Sequence, residues 1–175
     1  MILQRAAYRA RQFWMVMFAQ PSAPDLERAR AILSAKTWTL FMQLQPFEQA
    51  HALQVLARLE AQSPELHPDL RVAALLHDVG KSCCPLNIWE RSLVVLAKKL
   101  FPRRVRVLGQ SECRGWQRPF VSAEQHPAWG AQLVAEAGAS ALVVALVRRH
   151  QEVNSLGTSL EDHLLERLQA VDDNS

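Results

Sequence analysis

An adjacent histidine–aspartate pair, His77-Asp78, ends the apolar run Val72-Ala73-Ala74-Leu75-Leu76 and is followed by Val79-Gly80-Lys81. A histidine nitrogen beside a carboxylate oxygen is a donor set for a hard or borderline metal such as Mn, Fe or Zn. Gly80 is expected to close a helix, because glycine enters the left-handed region at little cost. Lys81 places a cation just past the pair, where it can meet a phosphate or simply favour a helix C-terminus through the macrodipole. Four more residues of ligand type lie on helical patterns. His51 falls in Phe47-Glu48-Gln49-Ala50-His51, His126 in His126-Pro127-Ala128-Trp129, His150 ends the apolar run from Ala141 to Val147, and Asp172 closes the last helix.

The order His51, His77-Asp78, His126, His150, Asp172 resembles the metal ligands of the HD-domain superfamily, and the match spans residues 37 to 173. The resemblance implies a helical bundle whose central helices aim ligands at one shared site. Members with counterparts of His126 and His150 usually hold two metals. By that resemblance His51, His77, Asp78 and Asp172 hold the first metal, His126 and His150 hold the second, and Asp78 bridges. The metals implied are divalent, Mn or Fe ahead of Zn, Ni, Co or Mg. A water between two such ions loses its proton near neutral pH and becomes a nucleophile. Asp78 and Lys81 are then the catalytic candidates, Lys81 stabilising charge on phosphoryl oxygens. Asp173 competes with Asp172 for its role. His67, before Pro68, and His163, in mid-helix, read as ordinary histidines.

Departures from the superfamily's subclasses narrow the chemistry. HD-type nucleotidases carry glutamate where Lys81 stands. Hydrolases of guanosine polyphosphates carry Glu-Asp just after their His-Asp, unlike Gly80-Lys81. HD-GYP phosphodiesterases share the His-Asp-x-Gly-Lys motif and a His-Pro like His126-Pro127. They also carry Gly-Tyr-Pro after the fourth histidine, whereas this chain continues His150-Gln151-Glu152-Val153-Asn154 and has one tyrosine, Tyr8. The expectation is a metal-dependent phosphohydrolase or phosphodiesterase acting on a nucleotide or other small phosphate ester. Two alternatives share the ligand set: a di-iron HD-domain oxygenase, and a non-catalytic metal- or nucleotide-binding module.

Residues 98–118 hold seven basic side chains, Lys98, Lys99, Arg103, Arg104, Arg106, Arg114 and Arg118, against one acid, Glu112. Trp116 lies among them as a surface on which a base can stack. Lys81, Arg114 and Trp116 are the substrate-binding candidates. The competing reading is a solvated loop whose arginines pair elsewhere. Long nucleic acid is not expected, because the rest of the chain is not markedly basic and the net charge is only +3.

The elements that must position these residues read as helices almost throughout. The patterns predict helices near 3–19, 25–34, 37–43, 46–61, from Pro68 or Asp69 to the His-Asp pair, from Pro85 through Trp89, Leu93, Leu96 and Leu100, near 121–138 around Pro127, 140–150, and from a Ser159 capping box to Asp172. Residues 101–120 are the least regular. The expected fold is all-α, a single-domain HD-type bundle with the metal site between central helices. Residues 1–36 form N-terminal helices packed on the core, and 37–175 form the HD domain. A chain of 175 residues can bury about 70% of its unfolded surface. Arg5, Arg9 and Arg11 before the apolar run 13–19 resemble the start of a signal peptide, but no small-residue cleavage site follows and the segment fits an amphipathic helix. That run is too short to cross a bilayer. Three cysteines, Cys83, Cys84 and Cys113, read as packed thiols in a reducing cytoplasm.

Overall fold

Helix-starting residues punctuate the chain where the sequence patterns change. Ser22, Ser34, Asn87, Ser140 and Ser159 each accept a backbone N–H in the first turn of a helix, and proline occupies the first turn of several others. The structure, a computed structural model, describes residues 20–63, 65–152 and 157–173. Among them are nine α-helices: α1 (Ala23–Ile32), α2 (Ala35–Phe41), α3 (Pro46–Gln62), α4 (Pro68–Leu76), α5 (Ile88–Leu100), α6 (Pro102–Leu108), α7 (Arg118–Glu136), α8 (Ala141–Arg149) and α9 (Leu160–Asp172). Two 3-10 turns, Val79–Cys83 and Gly115–Gln117, complete the regular structure. The described residues form one all-α domain without strands. The helix expected over 3–19 lies outside the described residues.

α4 is the central element, with Leu70, Ala73, Ala74, Leu75 and Leu76 fully buried. It packs against α1, α2, α3, α8 and α9. The alanines let neighbouring helices approach, and the leucines fill the space between them. His67, which precedes it, caps α4 by accepting the Asp69 N–H on Nδ1 at 3.2 Å, a structural role. A second, smaller apolar cluster holds Leu86, Val94, Val105 and Phe120 under α5 and α6.

Gly80 does not close a helix in the left-handed region. Among the described glycines only Gly115 and Gly138 have positive φ, and Gly80 lies inside the Val79–Cys83 turn. Its requirement is space. A Cβ built there would stand 1.9 Å from the His126 carbonyl oxygen and 2.6 Å from the Gly130 nitrogen. Gly130 answers from α7, where a Cβ would lie 3.1 Å from the Gly80 nitrogen. The two glycines bring the His-Asp turn into backbone contact with the helix that carries His126.

The cysteine reading also needs correction. Cys84 and Cys113 are joined as a disulfide with 6.7 Å between their Cα atoms, while Cys83 is free and exposed. The α5–α6 excursion returns the chain to where it left, which no local spacing reveals. The cysteine count therefore gives no argument for a reducing compartment. No helix of the described residues is long and apolar enough to cross a membrane.

α5 is tied to α3 by a buried ion pair. Arg91 donates to Glu48 at 2.7 Å and to the Leu86 carbonyl at 3.1 Å, and its guanidinium stacks 4.4 Å from the Phe47 ring centre. Glu48 is 3% exposed and also accepts the Gln45 N–H at the start of α3.

Two substitutions test these contacts by urea unfolding. Arg91→Ala strands the Glu48 carboxylate and is expected to cost roughly 3–5 kcal/mol. Gly80→Ala is expected to cost about 3 kcal/mol, the upper end of overpacking penalties, because the atoms it meets are backbone. Gly138→Ala, which has open space and only an unfavourable φ, is expected to cost about 1 kcal/mol.

Candidate metal centre

Six side chains converge from five places in the chain: His51 on α3, His77 and Asp78 just after α4, His126 on α7, His150 at the end of α8, and Asp172 at the end of α9. They form two groups, His51–His77–Asp172 and Asp78–His126–His150, and within each the potential ligand atoms all lie within 4.8 Å of one another. His77, Asp78, His126 and His150 are buried, and His51 and Asp172 are partly open. The structure thus gathers all six residues singled out from the sequence. Asp173, the competitor for Asp172, is exposed.

Asp78 stands between the groups. Its Oδ1 lies 3.3 Å from His126 Nε2 and 3.7 Å from His150 Nε2, and its Oδ2 lies 3.5 Å from His77 Nε2. Asp172 Oδ1 lies 2.8 Å from His51 Nε2 and 3.5 Å from His77 Nε2. One oxygen of Asp78 therefore serves each side.

The histidines are oriented through their other nitrogens. His77 Nδ1 meets the Ala74 carbonyl at 2.9 Å, His126 Nδ1 the Ser122 carbonyl at 2.8 Å, and His150 Nδ1 the Val147 carbonyl at 2.7 Å. A carbonyl only accepts, so each Nδ1 carries a proton and each ring turns its Nε2 to the centre. Backbone carbonyls commonly orient metal-bound histidines in this way. His126 Nε2 and His150 Nε2 lie 3.3 Å apart beside the Asp78 carboxylate. His77 Nε2 is buried without a hydrogen-bond partner. Such an arrangement wants a cation at its middle, and the residues present fit a divalent metal.

The electrostatics agree. Burial opposes ionisation of Asp78, but Lys81 and then His77 hold its carboxyl well below the usual carboxylate range. Burial also disfavours charge on His77, yet Asp78 and Asp172 outweigh it and raise its pKa. Burial, aided by Lys81, pushes His126 down to about 4, so its ring stays neutral and free to ligate at ordinary pH. Asp172 is held low against its burial by His51 and His77.

Further contacts support the centre from α9 and α7. Gln169 on α9 places its amide within 3.2 Å of the Arg149 and His150 carbonyls and 2.9 Å of the Glu152 carbonyl. It thereby satisfies the open end of α8 and ties that end to α9, the helix that carries Asp172. Pro127 removes one N–H from α7, and the Ala123 carbonyl it would have served lies 3.5 Å from Lys98 Nζ.

Lys81 lies at the centre, but its ammonium is not free: it bonds Asp78 Oδ2 at 2.5 Å, with the side chain 28% exposed. It also lines a cavity of about 290 Å³ with Arg91, Lys98, His126 and Gln151. An adjoining cavity of about 420 Å³ shares Lys98 and Gln151 and adds Arg106, Glu124 and Arg148. Arg91 and Gln151 went unremarked in the sequence. Arg91 carries no motif, and the one signal for Gln151 is that it follows His150.

The structure places the other basic candidates elsewhere. Arg114 is 85% exposed and paired with Glu112. Trp116 lines a separate cavity with Arg103, Arg104, Val107 and Leu108. Arg118 meets Glu90 and the Pro85 carbonyl. None of them lines the cavity beside His126. Within the 98–118 segment it is Lys98 that reaches it.

No family model, curated protein or solved structure matches this chain.

Metal binding is expected to show as stabilisation. Mn²⁺ at about a hundred times its Kd contributes about 2.7 kcal/mol, raising Tm by roughly 5–10 °C for a domain this size. Asp78→Asn is expected to abolish that rise while leaving the helical circular-dichroism signal intact.

Proposed function

We propose that this protein is a metal-dependent phosphohydrolase or phosphodiesterase acting on a nucleotide or other small phosphate ester. The observation that carries the reading is the convergence of three histidine Nε2 atoms on the buried Asp78, beside a cavity edged by Lys81 and Lys98. The resemblance of the ligand order to the HD-domain superfamily points the same way. His51, His77, Asp78 and Asp172 would hold one divalent ion and Asp78, His126 and His150 a second. Bound there, the metals would lower the pKa of a water towards neutrality and draw charge from phosphoryl oxygens.

The chain's own residues supply the rest. Asp78 orients both halves of the centre with its two oxygens. Lys81 neutralises the carboxylate and stands where charge on a transferred phosphoryl group would build. Lys98 and Gln151 offer donors at the border between the two cavities. Leu86 and Val94 wall the inner cavity with apolar surface and keep those charges in a low dielectric.

The test is a screen of p-nitrophenyl phosphate, bis-p-nitrophenyl phosphate and cyclic nucleotides with protein loaded with Mn or Fe. Turnover is expected, and Lys81→Ala is expected to lower kcat by roughly a hundredfold while metal content stays at the wild-type value. An iron-loaded protein that consumes O2 and leaves every ester intact would assign the centre to the di-iron oxygenase class. A protein that binds metal and turns over neither would be a binding module.

A further inference from the structure

α5 is an amphipathic helix that faces the wrong way for a soluble domain. Trp89, Leu93, Leu96 and Leu100 recur at helical spacing and form one stripe. A stripe of this kind ordinarily turns to the core. Here Val94 is the one buried residue of the helix, and the stripe is solvent-facing, with Trp89 76%, Leu93 47%, Leu96 57% and Leu100 56% exposed. Phe101, Val107 and Trp116 extend the same kind of surface onto α6 and the turn after it. Monomeric soluble proteins rarely leave so much contiguous apolar surface uncovered.

Charge around this surface identifies what covers it. Lys99 flanks the stripe, and Arg103, Arg104 and Arg114 stand on the segment that follows. Among the described residues Lys99 and Arg103 have no carboxylate partner, and Arg104 lies 5.7 Å from the centre of the Phe101 ring. The sole acid of residues 98–118, Glu112, is taken by Arg114. A second copy of the chain docked face to face would set these cations against one another. An apolar face carrying tryptophans and fringed by unpaired lysine and arginine suits the interface of an anionic bilayer, where apolar side chains enter the acyl boundary and cations meet phosphates. We infer that the α5–α6 face docks this protein on an anionic lipid surface, lying on the membrane without crossing it.

Sedimentation with vesicles tests the inference on the whole chain. Phosphatidylcholine vesicles with about one-third phosphatidylglycerol are expected to bind the protein about tenfold more tightly than pure phosphatidylcholine. Salt of about 0.5 M is expected to weaken that binding. The double substitution Leu96→Asn with Leu100→Asn changes only exposed side chains and is expected to cut it about tenfold, at unchanged helical content. Lys99→Glu with Arg103→Glu is expected to abolish the preference for anionic vesicles. The inference is overturned by protein that stays in the supernatant, or by leucine variants that bind as the wild type does. A concentration-dependent dimer dispersed by the same leucine substitutions would also overturn it, assigning the face to a second copy.

Discussion

The structure hangs on a contact made possible by two missing side chains. Gly80 and Gly130 let the turn after α4 lie against the backbone of α7. That contact sets the distance between Asp78 and His126, which come from parts of the chain 48 residues apart. The hydrogen bonds that orient His126 build on it. The Cys84 carbonyl accepts the Ser122 hydroxyl at 3.0 Å, and the Ser122 carbonyl in turn fixes His126. The turn, the helix and the imidazole are thus one mechanical unit, and rigid elements hold ligands better than loops do.

The second constraint is electrostatic. Asp78 is 4% exposed, and a buried carboxylate is costly unless it is paired. Lys81 three residues later supplies the pairing charge, and the 3-10 turn brings it back onto Oδ2. Arg149 plays a comparable part further out, bonding Glu152, Glu161 and Asp162, so that the end of α8 is fastened to the start of α9. His150 directly follows Arg149, and Asp172 closes the other end of α9. Fixed charge thus holds the helices that carry the ligands, and the apolar core holds their axes.

Much of this was legible in the residues. Helical periodicity, capping serines and prolines place the helices to within a few residues, because those signals are local. The start of α7 at Arg118 rather than near 121 and the short α6 within an irregular stretch are boundary differences of the usual kind. The six ligand-type residues were legible through the resemblance of their order to the metal ligands of the HD-domain superfamily. What escaped was long-range. Nothing near Cys84 announces Cys113, nothing near Arg91 announces Glu48, and Gly80 reads as a turn residue until α7 is seen against it. The outward stripe of α5 escaped for a related reason. Periodicity says that a helix is amphipathic, but only the packing says which way it points.

The Cys84–Cys113 bond makes the α5–α6 excursion a closed ring. Its Cys84 end follows Asp78 by six residues, and the Cys84 carbonyl accepts the hydroxyl of Ser122, one turn before His126. Loop-closure cost grows only slowly with length, by about 0.6 kcal/mol per doubling. Within the ring, α5 holds Glu48 through Arg91 and gives Arg91, Val94 and Lys98 to one wall of the inner cavity, so a change in this helix would reshape that cavity.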